Sequence, residues 1–353
     1  MLPTNRFKGK HILLGVTGGI AAYKTTELVR HLIKQGTDVR VMMTNTAKKF
    51  ITPLTLETLS TNVAAALHCP VVIAPAMNVH LWENPVLQRN LKQLQTQGFL
   101  ICPPEEGFLA EGYRGMGRLA PLEHLVQYLY RSIHPAANSL AGRRVLVTAG
   151  RTEETLDPVR YLTNKSSGKM GFALAQEAFA RGARVTLIHG PVELPLPAGV
   201  KNVSVTSAAE MFEAVQRNLG DSDIYLSAAA IADYTPEQFS EQKIKKQAGN
   251  FSLSLKRTVD ILKFAGAKKK AGQQIVGFAV ETEADESNAV KKLADKNLDL
   301  VVLNNPLEEG AGFRHDTNRV TLIHKSGERR EIPQLPKLDV AFEIFEFLLA
   351  QEK

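Results

Sequence analysis

Four short stretches in the second half of this chain collect residue types able to hold a phosphorylated molecule. Residues 148–171, TAGRTEETLDPVRYLTNKSSGKMG, place Ser166, Ser167, Gly168 and Lys169 after a polar loop at the expected start of a helix. Hydroxyls and unpaired N–H groups at such a start receive anionic oxygen, although the same residues alone describe no more than a capped helix. Residues 227–236, SAAAIADYTP, end a strand in small residues against which a ring or a phosphate can lie, with Asp233 close behind. Small residues by themselves signal tight packing. Lys243 opens KIKK (243–246) and offers a point charge for a phosphate or an oxyanion, where an isolated lysine would only protect an edge. Lys292 and Lys296 lie one helical turn apart and project from one face, where they can grip a triphosphate together. A lone pair of this kind is solvated.

The first half carries a glycine-rich turn, Gly15-Val16-Thr17-Gly18-Gly19-Ile20, between a strand and a helix. Backbone N–H groups there face a position open to a phosphate, and the alternative is a packing turn in which glycine supplies an unusual dihedral. A dinucleotide reading needs an acid at the end of the next strand to hold a ribose, and that strand ends Met43-Thr44-Asn45. The second-half TAG at 148–150 is followed by no G-x-G-x-x-G, and the next strand there ends His189-Gly190. A nicotinamide oxidoreductase is therefore disfavoured in both halves.

The elements that must position these residues follow one repeated pattern: a short β-branched run, a turn, then an amphipathic stretch. This is the signature of parallel strands joined by crossover helices. The first half predicts strands at 11–16, 38–43, 70–75 and 98–103, with a helix from Gly19 to about Gln35 joining the first two. The second half predicts strands at 143–150, 183–190, 223–230, 274–281, 299–305 and 319–324, and a closing helix from about Leu338. The small, polar segment 132–142 precedes a fresh strand, so the chain divides into an α/β domain over 1–135, a linker at 136–142 and a second α/β domain over 143–353. Both read as doubly wound, Rossmann-like folds.

With 353 residues, 44% hydrophobic, the chain can build two cores. A net charge of +7 favours anionic partners without choosing among them, and the basic run Lys268-Lys269-Lys270 reads as a solvated helix end. Cys69 and Cys102 fit neither a disulfide framework nor a zinc site, and no apolar run approaches membrane length, so a cytoplasmic protein without membrane contact is expected.

In the first half, GVTGGIAAYK (15–24) with Thr17, Gly18 and Gly19, Thr44, PLT (53–55) and PAMN (75–78) with Pro75, Met77 and Asn78 resemble the flavin-binding family that decarboxylates phosphopantothenoylcysteine. An intact member of that family implies FMN. Two departures appear. Only Ser60 to Ala64 stand between Leu59 and Ala65, where the family carries its catalytic His and a flavin-contacting stretch. FLAEGYRGMGRLAP (108–121) resembles the family's substrate-clamping loop but has Glu111 where the family has its proton-donating Cys. A carboxyl group of ordinary pKa, ~4.3, is ionised at neutral pH and donates poorly. The expectation is a shortened half with vestigial flavin residues, at most weak FMN binding and no decarboxylase turnover. A bifunctional enzyme retaining that activity, and a non-catalytic flavoprotein acting through a partner, are the alternatives.

The second half resembles phosphopantothenate–cysteine ligase from Val145 to the closing helix, because the four stretches, with TVDIL (258–262) and VGFAVET (276–282), occur together in family order. The resemblance implies a CTP-dependent reaction through an acyl-cytidylate, with 4′-phosphopantothenate and L-cysteine as the other substrates and Mg2+ on the triphosphate. It assigns Asn164 to the intermediate, Arg160 to the phosphopantothenate end and Lys243 to the second half-reaction. Ala229, Asp233, Lys243, Asp260, Ile261, Leu262, Phe278, Lys292 and Lys296 are assigned to CTP, and Ser166 to Lys169 to substrate or phosphate. It further implies a homodimer through this domain, no nucleic-acid partner and no metal held by protein side chains alone. Departures are Val259 for the family's Pro and Asn304-Asn305 for its Asn-Asp.

Overall fold

The structure, a computed structural model, describes residues 6–52, 55–56, 69–109, 112–245, 251–280, 287–304 and 315–352. Pro53, Leu54, the segment around Ser60 to Ala64, Glu111, Lys246, Glu281, Thr282 and Asn305 lie outside the described residues. The chain forms two compact units that meet in sequence at Ala137 and Asn138.

In the N-terminal unit, β1 (His11–Val16) pairs in parallel with β2 (Asp38–Met43), as the sequence predicts. A 3-10 turn at Ile20–Lys24 leads into α1 (Thr25–Lys34), which buries Leu28, Val29 and Leu32 along one face. The third and fourth expected strands shrink to β3 (Val72–Ile73) and β4 (Leu100–Ile101), paired in parallel. Pro70, Pro75 and Pro103 lack the N–H a ladder needs, which confines pairing to the residues between them. Short helices α2 (Val79–Trp82) and α3 (Pro85–Thr96), capped by Asn78 and Asn84, connect these two strands. A hairpin, β5 (Glu105–Phe108) with β6 (Arg114–Arg118), and α4 (Leu122–Ser132) complete the unit. Among the described residues β1–β2 and β3–β4 remain separate ladders.

The C-terminal unit is built on β7 (Arg144–Ala149), followed by a hairpin of β8 (Glu153–Thr155) and β9 (Tyr161–Thr163), then α5 (Lys169–Ala180). Next come β10 (Arg184–His189), β11 (Lys201–Ser204), α6 (Ala208–Leu219) and β12 (Ile224–Ser227). A second hairpin, β13 (Tyr234–Pro236) with β14 (Leu255–Arg257), leads to α7 (Ile261–Ala267). The unit closes with β15 (Gln274–Val280), α8 (Ser287–Asp295), β16 (Leu300–Asn304), β17 (Thr317–His324), β18 (Arg329–Pro336) and α9 (Lys337–Ala350).

Eight strands make one sheet in the order β11-β10-β7-β12-β15-β16-β17-β18, parallel except for the last two. The first six follow the doubly wound order, which reverses between β7 and β12. Ligands of such sheets bind outside the carboxyl ends of the strands near that reversal. Both faces are covered, so β7 and β12 are buried almost throughout and read as apolar runs rather than alternations. Arg181, just past α5, pairs with Glu177 and Glu346 at 2.7 Å each and lies over the Phe342 ring, tying α5 to α9.

One expectation is corrected here. Lys268 and Lys270 are exposed, as the run predicts, but Lys269 is not solvated: its ammonium lies 2.7 Å from the buried Asp299 carboxylate, while the exposed Lys270 also donates to the Gly220 carbonyl. The loop after α7 returns into β15, so Lys269 and Lys270 fold back on a carboxylate and a backbone acceptor.

Candidate functional site

The candidate residues of the second half lie around the carboxyl end of the parallel sheet. At β7 that end is Ala149-Gly150, and close approaches bring the start of α5 onto it. A Cβ on Gly171 would stand 2.4 Å from the Ala149 Cβ, so only glycine allows this helix–strand contact. Gly168 caps α5 at φ +80, a conformation glycine adopts without strain. Ser166 is buried and its Oγ accepts from the Gly168 N–H, while Ser167 is half-buried.

At the reversal the chain after β12 runs beside the chain after β7. Ala228 and Ala230 donate to the carbonyls of Thr148 and Gly150, and Ala232 N–H donates to the Thr152 hydroxyl at 3.0 Å. The small side chains of 228–230 permit this approach. Asn164 donates from Nδ2 to the Ala230 carbonyl at 3.0 Å, which sets an exposed amide beside the half-buried Ala229. Asp233, exposed, follows, and its carbonyl accepts from Thr258 N–H. That contact brings in Asp260, which caps α7 by accepting from Lys263 N–H, with Ile261 and Leu262 buried behind it.

Lys292 in α8 and Lys296 just past its end reach the same region. Lys292 donates to the Phe278 carbonyl at 2.7 Å, and Lys296 pairs with Asp260 at 2.7 Å. Burial acts to raise the Asp260 pKa, but the Lys296 hydrogen bond and the Lys263 N–H outweigh it and hold the carboxyl below its ordinary value. Phe278 is half-buried at the end of β15, next to β12 in the sheet. Asn164, Ala229, Asp233, Asp260, Phe278, Lys292 and Lys296 are therefore linked through adjoining strand ends and the bonds above.

Two candidates have unforeseen partners. Lys169 pairs with Asp316 at 2.6 Å, and below it the buried Lys337 ammonium donates to the His315 carbonyl. Burial first, then the Lys169 charge, pushes Lys337 down to about 8. Arg160 is joined through Nη2 to the buried Asp157 carboxylate at 2.6 Å and to the Ile244 carbonyl at 2.7 Å, next to the exposed Lys243. Asp316 and Lys337 carry no local motif and were missed. Asp157 was missed as well, although Asp-Pro-x-Arg is a turn signature that points to it.

In the N-terminal unit, Thr17-Gly18-Gly19 turns closely against 44–46, where a Cβ on Gly18 would fall 2.2 Å from Thr46 Cγ2. The Thr44 hydroxyl accepts from Ala47 N–H. Asn78 caps α2 with Oδ1 and gives Nδ2 to the Tyr113 hydroxyl at 2.7 Å, while Met77 N–H donates to the Gly117 carbonyl. Pro75 lies between β3 and α2. Cys102 is buried, and burial pushes its thiol up to about 12.

Residues 140–351 match the DNA/pantothenate metabolism flavoprotein C-terminal domain family, and residues 3–65 and 54–134 match the flavoprotein family. The coenzyme A biosynthesis bifunctional protein CoaBC of Bacillus subtilis is 42% identical over 397 aligned positions, covering 98% of this chain and 98% of the relative. The chain belongs to the coenzyme A biosynthesis bifunctional protein family. The CoaBC protein of Escherichia coli K12 is 37% identical over 375 positions, covering 91% of this chain and 92% of its own. Among solved structures, the C-terminal domain of a CoaBC protein is 41% identical, with TM-score 0.53, and covers 61% of this chain and 98% of its own. The expected fold class, a flavoprotein-like half followed by a larger α/β half, is that of the coenzyme A biosynthesis bifunctional proteins. The 397 positions aligned with the Bacillus relative exceed the 353 residues here, so that alignment opens gaps in this chain.

Proposed function

We propose that this member of the coenzyme A biosynthesis bifunctional family joins 4′-phosphopantothenate to L-cysteine at the expense of CTP, through an acyl-cytidylate, and has lost the decarboxylase activity of its first half. The observation that carries the reading is the linkage of Asn164, Asp233, Asp260, Phe278 and Lys292 around the carboxyl ends of β12 and β15.

In this reading the phosphopantothenate carboxylate attacks the α-phosphate of CTP and pyrophosphate departs. The cysteine amine then attacks the acyl carbon and CMP leaves. A carboxylate is a poor electrophile, and the cytidylate supplies the leaving group. Magnesium enters with the triphosphate as part of the substrate. Catalysis rests on positioning and on charge placed where charge develops. Asn164 holds the intermediate, and Ala229, Asp233 and Asp260 to Leu262 take the nucleoside end, with Phe278 near the base. Lys292 and Lys296 leave their present acceptors for the triphosphate. Ser166, Ser167, Gly168 and Lys169 hold the other anionic end, and Arg160 supports it. Lys243 stabilises the oxyanion of the second step.

Loss of decarboxylation is supported by the short stretch from Ser60 to Ala64, by Glu111 in the clamp loop and by the two overlapping segments, 3–65 and 54–134, in which the flavoprotein family matches. Of the described residues, the Thr44 hydroxyl accepts from Ala47 N–H and keeps its own O–H for a flavin, while the Asn78 amide is taken up by a helix cap and Tyr113. No step is assigned to the flavin. The family match itself favours a second reading, that both activities survive. We further propose a homodimer through the C-terminal unit and a cytoplasmic location; among the described residues no helix is long and apolar enough to cross a membrane.

The deciding experiment is pyrophosphate release with phosphopantothenate and cysteine, run with CTP and then with ATP. Release with CTP is expected, and an inert protein overturns the reading. Carbon dioxide release from phosphopantothenoylcysteine in the presence of FMN decides between the two readings, with none expected.

A further inference from the structure

Asp157 sits in the turn that joins β8 to β9, 1% exposed, with no place in the roles assigned above. Its two oxygens do different work. Oδ1 accepts from the N–H groups of Val159 and Arg160 at 2.8 and 2.9 Å, which is the side-chain bond of a tight turn. Oδ2 accepts from Arg160 Nε at 3.0 Å, from Arg160 Nη2 at 2.6 Å and from Ile244 N–H at 3.1 Å. The same Nη2 donates to the Ile244 carbonyl at 2.7 Å. One ion pair thus holds both backbone groups of a residue far away in sequence. A second strap lies nearby, where Ser240 N–H donates to the Leu156 carbonyl at 3.0 Å.

The residue next to Ile244 is Lys243, whose side chain is exposed. A lysine is a point charge on a flexible stem, so its reach is set by where its backbone is anchored. A fork of guanidinium N–H groups that meets a carboxylate and a carbonyl together is a rigid anchor, which a solvated loop lacks. A displacement of 1 Å at a reacting group costs on the order of a hundredfold in rate.

We propose that Asp157 is a positioning residue that, with Arg160, latches Ile244 and fixes where Lys243 stands for the second half-reaction. This rests on the role given to Lys243 above. Asp157→Asn separates the latch from the turn. The amide keeps an oxygen for Val159 and Arg160, but turns an NH2 group toward the Ile244 N–H and the guanidinium, where donor meets donor.

Two readouts test the proposal in the full-length protein. The first needs no activity: trypsin should cut after Lys243 and Lys245 about tenfold faster in Asp157→Asn than in the native chain, since local opening governs cleavage. Arg160→Lys, which loses the Nε bond to Asp157 and the fixed plane of the guanidinium, should behave the same way. Equal cleavage in all three proteins overturns the latch. The second readout splits the reaction. In Asp157→Asn, single-turnover pyrophosphate release should stay within about twofold, while conversion of the acyl-cytidylate to product falls about tenfold or more. If cleavage accelerates but both half-reactions change together, or neither changes, the positioning role is overturned. If Lys243→Gln itself fails to stall the second step, the fault lies with the reading of Lys243, and the proteolysis result stands apart from it.

Discussion

Lys243 is exposed, and the hydrogen bonds around it hold its neighbour rather than its ammonium. A group placed in this way can be lost without unfolding anything. Lys243→Gln is expected to accumulate acyl-cytidylate with pyrophosphate release near normal, which quench and chromatography would detect. Lys292 already uses its charge on the Phe278 carbonyl, so Lys292→Ala should raise the apparent KM for CTP about tenfold or more, a loss typical of one charge-assisted phosphate contact. An unchanged KM would remove Lys292 from the triphosphate. The two cysteines differ sharply. Cys69 is exposed, whereas Cys102 is buried with its thiol pushed up to about 12. Alkylation of the native protein at neutral pH should label Cys69 and spare Cys102 until denaturant is added.

At the scale of elements, buried charges mark where segments are locked together. Asp299, at the start of β16, accepts from Ile275 N–H at 2.7 Å and pairs with Lys269 and Lys325 at 2.7 Å each. Burial works to raise its pKa, and the hydrogen bonds from Lys269, Lys325 and Ile275 hold it below the ordinary value. Its contribution is therefore complete above the unfolded aspartate value, ~3.9, and is lost as pH falls through the lower folded value. Asp299→Asn should cost about 2 kcal/mol at neutral pH, measured by urea unfolding, because it removes charge-assisted bonds inside the fold. Lys337 runs the other way. Its folded value of about 8 lies below the ~10.4 of an unfolded lysine, so its charge weighs against the fold at neutral pH. That cost fades as pH rises from about 8 toward 10, and the native protein should gain stability relative to Lys337→Met over that span. Parallel pH profiles for the two proteins would contradict the assignment.

At the scale of the whole molecule, the chain divides at Ala137 and Asn138, and every residue assigned to ligation lies beyond that point. A fragment over residues 138–353 should fold alone and keep ligase turnover within about threefold of the full chain, as expected of a unit with its own core. Much of this was legible in the sequence. The strands β1, β2, β7, β10 and β15 were legible because apolar, β-branched runs bounded by glycine leave few other conformations. The start of α5 was legible because Ser-Ser-Gly-Lys is local capping chemistry. The four site stretches could be grouped only through their resemblance to a ligase, since each alone also describes a cap, a tight packing turn or a solvated lysine.

What the sequence could not contain is pairing across distance. Asp157 and Ile244, Lys169 and Asp316, Lys269 and Asp299 become partners only when the sheet order brings crossover segments side by side, and no local pattern encodes that. For the same reason the sequence read Lys269 as solvated along with its exposed neighbours Lys268 and Lys270: composition reports charge, while burial and acceptors are supplied by other segments. Residue type and short-range spacing gave the fold class, and the resemblance to a ligase supplied the candidate chemistry. The tertiary structure decided which charges are already spent on the protein itself, because the strength of an ion pair depends on distance and desolvation, and both are properties of the folded chain.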